Sequence, residues 1–154
     1  MTNLATTLTQ AAARYPDRAA VLLDQQLLRY RDLAGASARA ATWLRRRGIG
    51  PGDRVALMLP NMPEFPVLYY GILQAGGIVV PMNPLLKARE VAYYLADSQA
   101  ALALVWQGAA AEAAEGARRA GTDLEIIEPG ELARSLARGG AVCVPDRDAA
   151  AEAR

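Results

Sequence analysis

From Val55 onward the chain alternates between two hydrophobic patterns. Short continuous apolar runs occur at Val55–Leu59, Ile78–Pro81, Ala101–Trp106 and Leu124–Ile127. Runs of this kind fit strands covered on both faces of a parallel sheet. Between them the apolar residues recur every three or four positions, which is the spacing of a helix with one buried face. Phe65, Leu68, Tyr69 and Ile72 mark one such helix; Val91, Tyr94 and Leu95 mark another within Ala88–Ser98. Ala109–Ala120 is an alanine-rich helix with Glu112 and Glu115 early and Arg118 and Arg119 late, the order a helix dipole favours. Strand, helix, strand, helix, strand, helix, strand predicts an α/β fold: parallel-sheet layers with flanking helices, joined by right-handed crossovers.

The residues before Val55 stand outside this repeat. Asn3–Arg14 reads as a helix with Leu4, Leu8 and Ala11 on one face and Asn3 as its cap. Tyr15-Pro16-Asp17 stops it, because a residue before proline avoids the helical region. Ala19–Leu23 and Leu27–Tyr30 read as a hairpin whose turn, Asp24-Gln25-Gln26, lacks glycine. Arg31–Arg47 is a long helix with Leu33, Ala36, Ala40 and Leu44 in register, Trp43 beside them, and Gly48 just past its end. Arg45, Arg46 and Arg47 crowd its last turn, where cations favour the negative end of the dipole.

Punctuation between elements comes from glycine and proline. Asn61 and Glu64 have capping-box spacing before the Phe65 helix, and Pro66 falls near its first turn. Gly76-Gly77 stop that helix, Pro81 closes the following strand, and Asn83-Pro84 turn the chain. Gly48-Ile49-Gly50-Pro51-Gly52-Asp53 is glycine-rich but precedes a strand. Phosphate loops follow a strand and open a helix, so it is not one. Pro129–Arg138 reads as a short helix and Ala141–Val144 as one more strand. Residues 1–144 thus form one incomplete subdomain, and residues 145–154 a polar linker or frayed end.

Composition narrows the chemistry. A compact chain of 154 residues buries roughly 70% of its unfolded surface, enough for a core. The net charge of +1 offers no basic face for nucleic acid. With no histidine there is no His general base, no catalytic triad and no His metal ligand. Cys143 stands alone in an apolar run; nothing beside it would stabilise a thiolate, so it reads as a structural thiol. No apolar stretch is long enough to span a membrane, and MTNLATTLTQ is not a secretory leader. A cytoplasmic location is the resulting expectation. Lys87, the only lysine, lies between a turn and a helix and reads as a solvated helix-start residue. Phe65, Tyr69, Tyr70 and Trp106 could line an acyl pocket, though their spacing also suits plain core.

Three stretches carry a family likeness. Leu28-Arg29-Tyr30-Arg31-Asp32-Leu33 is an aromatic-x-acidic-Leu motif leading into the first long helix. Leu73-Gln74-Ala75-Gly76-Gly77-Ile78-Val79-Val80-Pro81 is an Ala-Gly turn into an apolar strand ending in proline. Pro81-Met82-Asn83-Pro84 is followed by Arg89-Glu90-Val91 and Leu95-Ala96-Asp97-Ser98. In this order and spacing the chain resembles the early part of AMP-forming acyl-CoA synthetases, the adenylate-forming acid–CoA ligase family. The likeness runs over roughly Leu4 to Val144.

The resemblance implies the N-terminal subdomain of the adenylate-forming ligase fold. It also implies a reaction: a carboxylate attacks the α-phosphate of ATP to give an acyl-adenylate, and coenzyme A then displaces AMP. ATP, Mg²⁺ and coenzyme A are implied for the full-length family, together with a Thr/Ser/Gly-rich loop followed by Lys, metal-binding acids and a lysine in a mobile C-terminal domain. Such parts must face the charge gathering on the transferred phosphate. None occurs in this sequence. No catalytic, cofactor-binding or metal-ligating residue is therefore assigned, and the segment alone is expected to bind no cofactor and to be inactive. The pattern looks closest to the fatty-acid and medium-chain branches, with fatty acids the first expectation for the substrate and aryl acids behind. The expected partner is the remainder of the ligase chain or a complementary subunit, with self-association through an exposed sheet edge. The alternatives are a non-catalytic interaction module of the same fold, and a small-ligand binder at the carboxyl ends of the strands.

Overall fold

The computed structural model describes residues 3–130. Its first elements are α1 (Ala5–Arg14), β1 (Ala19–Leu23), β2 (Gln26–Arg29) and α2 (Tyr30–Arg46). Strand β3 (Arg54–Met58) leads to α3 (Glu64–Ala75), β4 (Ile78–Pro81) and α4 (Ala88–Ser98). Strand β5 (Leu102–Trp106), a short 3-10 turn, α5 (Ala110–Ala120) and β6 (Asp123–Ile127) complete it. The expected helix Pro129–Arg138 (of which only Pro129 and Gly130 are described), the strand Ala141–Val144, Cys143 and the terminal linker lie outside the described residues.

β1 and β2 pair as an antiparallel hairpin. Its turn manages without glycine because Asp24 takes the left-handed conformation (φ 51°), which a short polar side chain tolerates. The remaining strands form one parallel sheet in the order β4-β3-β5-β6. The chain therefore steps from β3 outward to β4, then crosses back over β3 to β5 and on to β6. The strand order reverses between β3 and β5, which makes that gap the topological switch point.

Two hydrophobic layers follow from strand alternation. Val55 and Leu57 of β3, with Leu102 and Leu104 of β5, face α1, α2 and α3. Ala56 and Met58, with Ala103 and Val105, face α4 and α5. This is why the runs read as continuously apolar: both faces are covered. Each layer has one close helix crossing. On the first, a Cβ added at Gly71 of α3 would lie 2.7 Å from the Ala40 Cβ of α2. On the second, a Cβ at Gly116 of α5 would lie 2.6 Å from the Val91 side chain of α4.

Turn chemistry matches the expectation at Gly76, which ends α3 at φ 92°, a conformation open chiefly to glycine. Pro81 ends β4, at one edge of the sheet. The Ile78 and Met82 amides donate inward to the Asp53 and Leu57 carbonyls at 2.7 and 3.0 Å.

Four details differ from the sequence expectation. Leu4 is exposed; the helix begins one residue later, so Ala5 joins Leu8 inside. The Asn3 Oδ1 still caps, accepting from the Ala5 amide at 2.9 Å. Tyr94 is exposed beside Tyr93, leaving Val91 and Leu95 as the buried stripe of α4. The Asn61–Glu64 capping box does not form: α3 starts at Glu64 without a side-chain cap, and Glu64 turns elsewhere. The arginine run does more than balance a dipole. Arg45 donates to the Gln74 carbonyl near the end of α3. Arg47 stacks over Trp43 (4.7 Å) and pairs with the buried Glu125 of β6 at 3.0 Å.

Candidate functional site

In an open α/β sheet a ligand binds outside the carboxyl ends of the strands, at the switch point. Here that rim consists of Leu59–Met62 after β3, Trp106–Gly108 after β5, Met82–Asn83 after β4 and Glu128–Gly130 after β6. The N-termini of α3, α4 and α5 point their dipoles at the same end. Each is a place where an anion would be favoured by free backbone amides.

All three places already hold a carboxylate. Glu64, 3% exposed, opens α3, and two of the neighbouring positions are Pro63 and Pro66, which have no N–H to offer. At α4 the Glu90 carboxylate accepts from the Lys87 amide at 2.9 Å. Glu112, in the first turn of α5, reaches across to accept from the Ala88 amide at 2.9 Å and sits 3.4 Å from the Lys87 Nζ. The Ala88 amide, and then the nearby Lys87 ammonium, hold the Glu112 carboxyl below its ordinary range. Gly108, after β5, is covered by the Trp106 ring. A nucleotide phosphate brought to these helix ends would meet three negative charges. The described residues do not fit one, nor do they bring together three or more His, Cys, Asp or Glu side chains able to hold a metal ion.

Lys87 is exposed, as its position suggested, and its ammonium is committed to Glu112. Phe65, Tyr69 and Tyr70 form a half-buried aromatic strip on α3. Phe65 and Tyr69 stack with centroids 6.1 Å apart; Tyr69 and Tyr70 meet edge-on at 5.7 Å. Trp106 lies on β5 and packs against both layers. The four aromatics thus pack on the core margin; the structure does not assemble them around a common cavity. A cavity of about 280 Å³ lies at the opposite, amino end of the strands, lined by Arg47, Ile49, Ala101, Leu102, Asp123 and Leu124. Its one cation, Arg47, is the partner of Glu125.

A family model for AMP-binding enzymes matches residues 8–153. The chain belongs to the AMP-binding enzyme family. Among curated members, the long-chain-fatty-acid–CoA ligase of Bacillus subtilis (strain 168) is 43% identical over 97 residues, covering 63% of this chain and 17% of that protein. Among solved AMP-binding enzymes, the N-terminal domain of FACL13 from Mycobacterium tuberculosis superposes with a TM-score of 0.78 at 32% identity, over 95% of this chain and 38% of that one. A benzoate CoA ligase from Burkholderia xenovorans LB400 superposes with a TM-score of 0.80 at 25% identity, over 92% of this chain and 29% of that one. The chain thus spans well under half of each relative. Its parallel sheet with flanking helices is that of the N-terminal domain in these enzymes.

Two residues of this region escaped the sequence reading. Glu64 looked like half of a capping box, and Glu125 lay within a run read only as a strand. Their burial was the missing signal, and no local pattern reports it. Glu115, placed early in its helix by the dipole order, gains partners that order did not specify. It accepts from Arg118 at 2.8 Å and from Arg119 at 2.8 Å, and these two guanidinium groups bring its carboxyl from 4.5 down to about 2. A lowered folded-state pKa stabilises the fold above the unfolded value near 4.5, and that contribution disappears as pH falls through about 2. Carbon-detected NMR titration should place the Glu115 midpoint near 2 in low salt, moving back toward 4.5 in about 1 M salt as screening takes over. A midpoint near 4.5 in low salt would remove the pairing.

Proposed function

We propose that this chain serves as the N-terminal scaffold portion of a fatty acid–CoA ligase, and that it does no chemistry alone. The observation that carries the reading is the 43% identity to a long-chain-fatty-acid–CoA ligase over 97 residues. It is joined by the superposition on a solved N-terminal domain of the family. In this reading the β3–β5 pair supplies a rigid floor, and the half-buried strip Phe65, Tyr69 and Tyr70 supplies an apolar surface suited to an acyl chain. ATP, Mg²⁺ and coenzyme A belong to the rest of the ligase, since the helix ends here already carry Glu64, Glu90 and Glu112. The rest of the ligase, or a complementary subunit, is the partner, and the cytoplasm the location. Among the described residues no helix is long and apolar enough to cross a membrane.

ATP–pyrophosphate exchange tests the claim. Residues 1–154 with ATP, Mg²⁺ and a long-chain fatty acid should show no acid-dependent exchange above the no-protein blank. Exchange that depends on the acid and saturates with ATP would overturn the scaffold reading.

A further inference from the structure

Glu64 is a buried carboxylate that the scaffold reading leaves unexplained. Moving such a group out of water is costly unless it is paired. Glu125, the other buried acid among the described residues, is paired with Arg47. Glu64 has no basic partner among the described residues. Its Oε1 instead accepts a 2.8 Å hydrogen bond from the Gly130 amide, 66 positions along the chain, and the positive end of the α3 dipole lies behind it.

The partner amide is set up by local sequence. Gly130 follows Pro129 and has φ 78°. Pro-Gly with this glycine conformation fits the two central positions of a type II turn. In that turn the N–H of the second central residue is not used by the turn's own bond, so it is free to face Glu64. The topology gives the contact its meaning. Glu64 follows β3 and Gly130 follows β6, with β5 lying between those strands. The chain leaving β6 therefore runs back across the carboxyl end of β5, which is the β5 side of the switch point.

We propose that Glu64 and the Pro129–Gly130 turn form a latch that straps the chain over the switch-point crevice between β3 and β5. Closed, the latch buries the Glu64 carboxylate and lies across the end of β5, whose last residue is Trp106. Released, it uncovers both at the end of the sheet where an α/β fold takes its ligand. The latch concerns only this chain's own residues and stands whether or not the scaffold reading holds.

The test uses the 154-residue chain with Trp43→Phe, which leaves Trp106 as the sole indole. Acrylamide quenching of Trp106 and hydrogen exchange of the Gly130 amide are measured for the parent, Glu64→Gln and Glu64→Ala. Loss of a hydrogen bond to a buried charged group should speed Gly130 exchange roughly ten- to hundredfold in Glu64→Ala and raise Trp106 quenching several-fold. The isosteric Glu64→Gln keeps an acceptor and should fall between. The Leu104 amide, in the middle of β5, should exchange at the parent rate. Unchanged Gly130 exchange and quenching in Glu64→Ala would overturn the latch. So would Gly130 and Leu104 accelerating together, because Glu64 would then be stabilising the whole sheet and clamping nothing in particular.

Discussion

Replacing Leu104 by alanine is expected to cost about 2–5 kcal/mol of folding free energy. Leu104 is fully buried at the middle of β5, directly beside Leu57 of β3 and Glu125 of β6. Its side chain faces the layer shared with α1, α2 and α3. Truncation removes the transfer free energy of the lost carbons and leaves a void. Neither neighbouring strand can collapse into that void without breaking its ladder. The loss is a large share of the about 5–15 kcal/mol that usually holds a domain together. Urea denaturation should show a much lower midpoint with an unchanged slope. Leu22→Ala is the control: Leu22 is 71% exposed on the hairpin, and its change should stay within about 0.5 kcal/mol. Equal midpoints for the two variants would mean that the central layer is not packed as described.

The second large effect is expected at Gly116. Replacing a helical glycine by alanine ordinarily gains up to about 1 kcal/mol, because the unfolded chain has less freedom to lose. Here the added Cβ would lie 2.6 Å from the Val91 side chain and 2.8 Å from the Ala88 carbonyl. The carbonyl belongs to the first turn of α4, and Ala88 is also tied to α5 through the hydrogen bond its backbone N–H donates to the Glu112 carboxylate. Helix α4 therefore cannot slide away without losing that bond. Overpacking of this kind costs about 1–3 kcal/mol. Gly116→Ala should be destabilised despite its better propensity, and Gly116→Val should lie at or beyond the upper end of that range. Gly35 in α2 offers the contrast, since a Cβ there meets only the flexible end of Arg39 at 3.5 Å. Gly35→Ala should raise the thermal midpoint. A rise for Gly116→Ala as well would disprove the close crossing.

The elements were legible because their cause is local. β1, β4 and α4 have the bounds expected; β5, α5 and β6 differ by a residue at one end, and β2, α2 and β3 are each shifted by one residue. The strand runs, the helical stripes and the Gly76 stop each follow from burial or backbone sterics within a few positions. What periodicity cannot carry is the identity of the opposite surface. Tyr94 sits at a position compatible with the Val91–Leu95 stripe, yet α4 turns just far enough to leave it in water. Arg45 and Arg47 explain themselves as helix-end charges until Gln74 and Glu125 arrive from distant segments. The strand order β4-β3-β5-β6 was likewise unreadable, because alternation of strand and helix leaves open the side on which each new strand adds. No local motif marks the rim of the sheet. That its helix ends are filled by Glu64, Glu90 and Glu112 needed the fold.

Pro81 carries a consequence for how this sheet meets other chains. The amides of Ile78 and Met82 point inward to β3, so by strand alternation the outward-facing positions of β4 are Val79 and Pro81. Proline has no amide hydrogen, so this margin presents one usable donor where a longer ladder would need a row. An incoming strand would find an acceptor but no donor at the second step. The β4 side is therefore blunt, and any joining of this piece to another polypeptide by strand addition must begin somewhere else on the molecule.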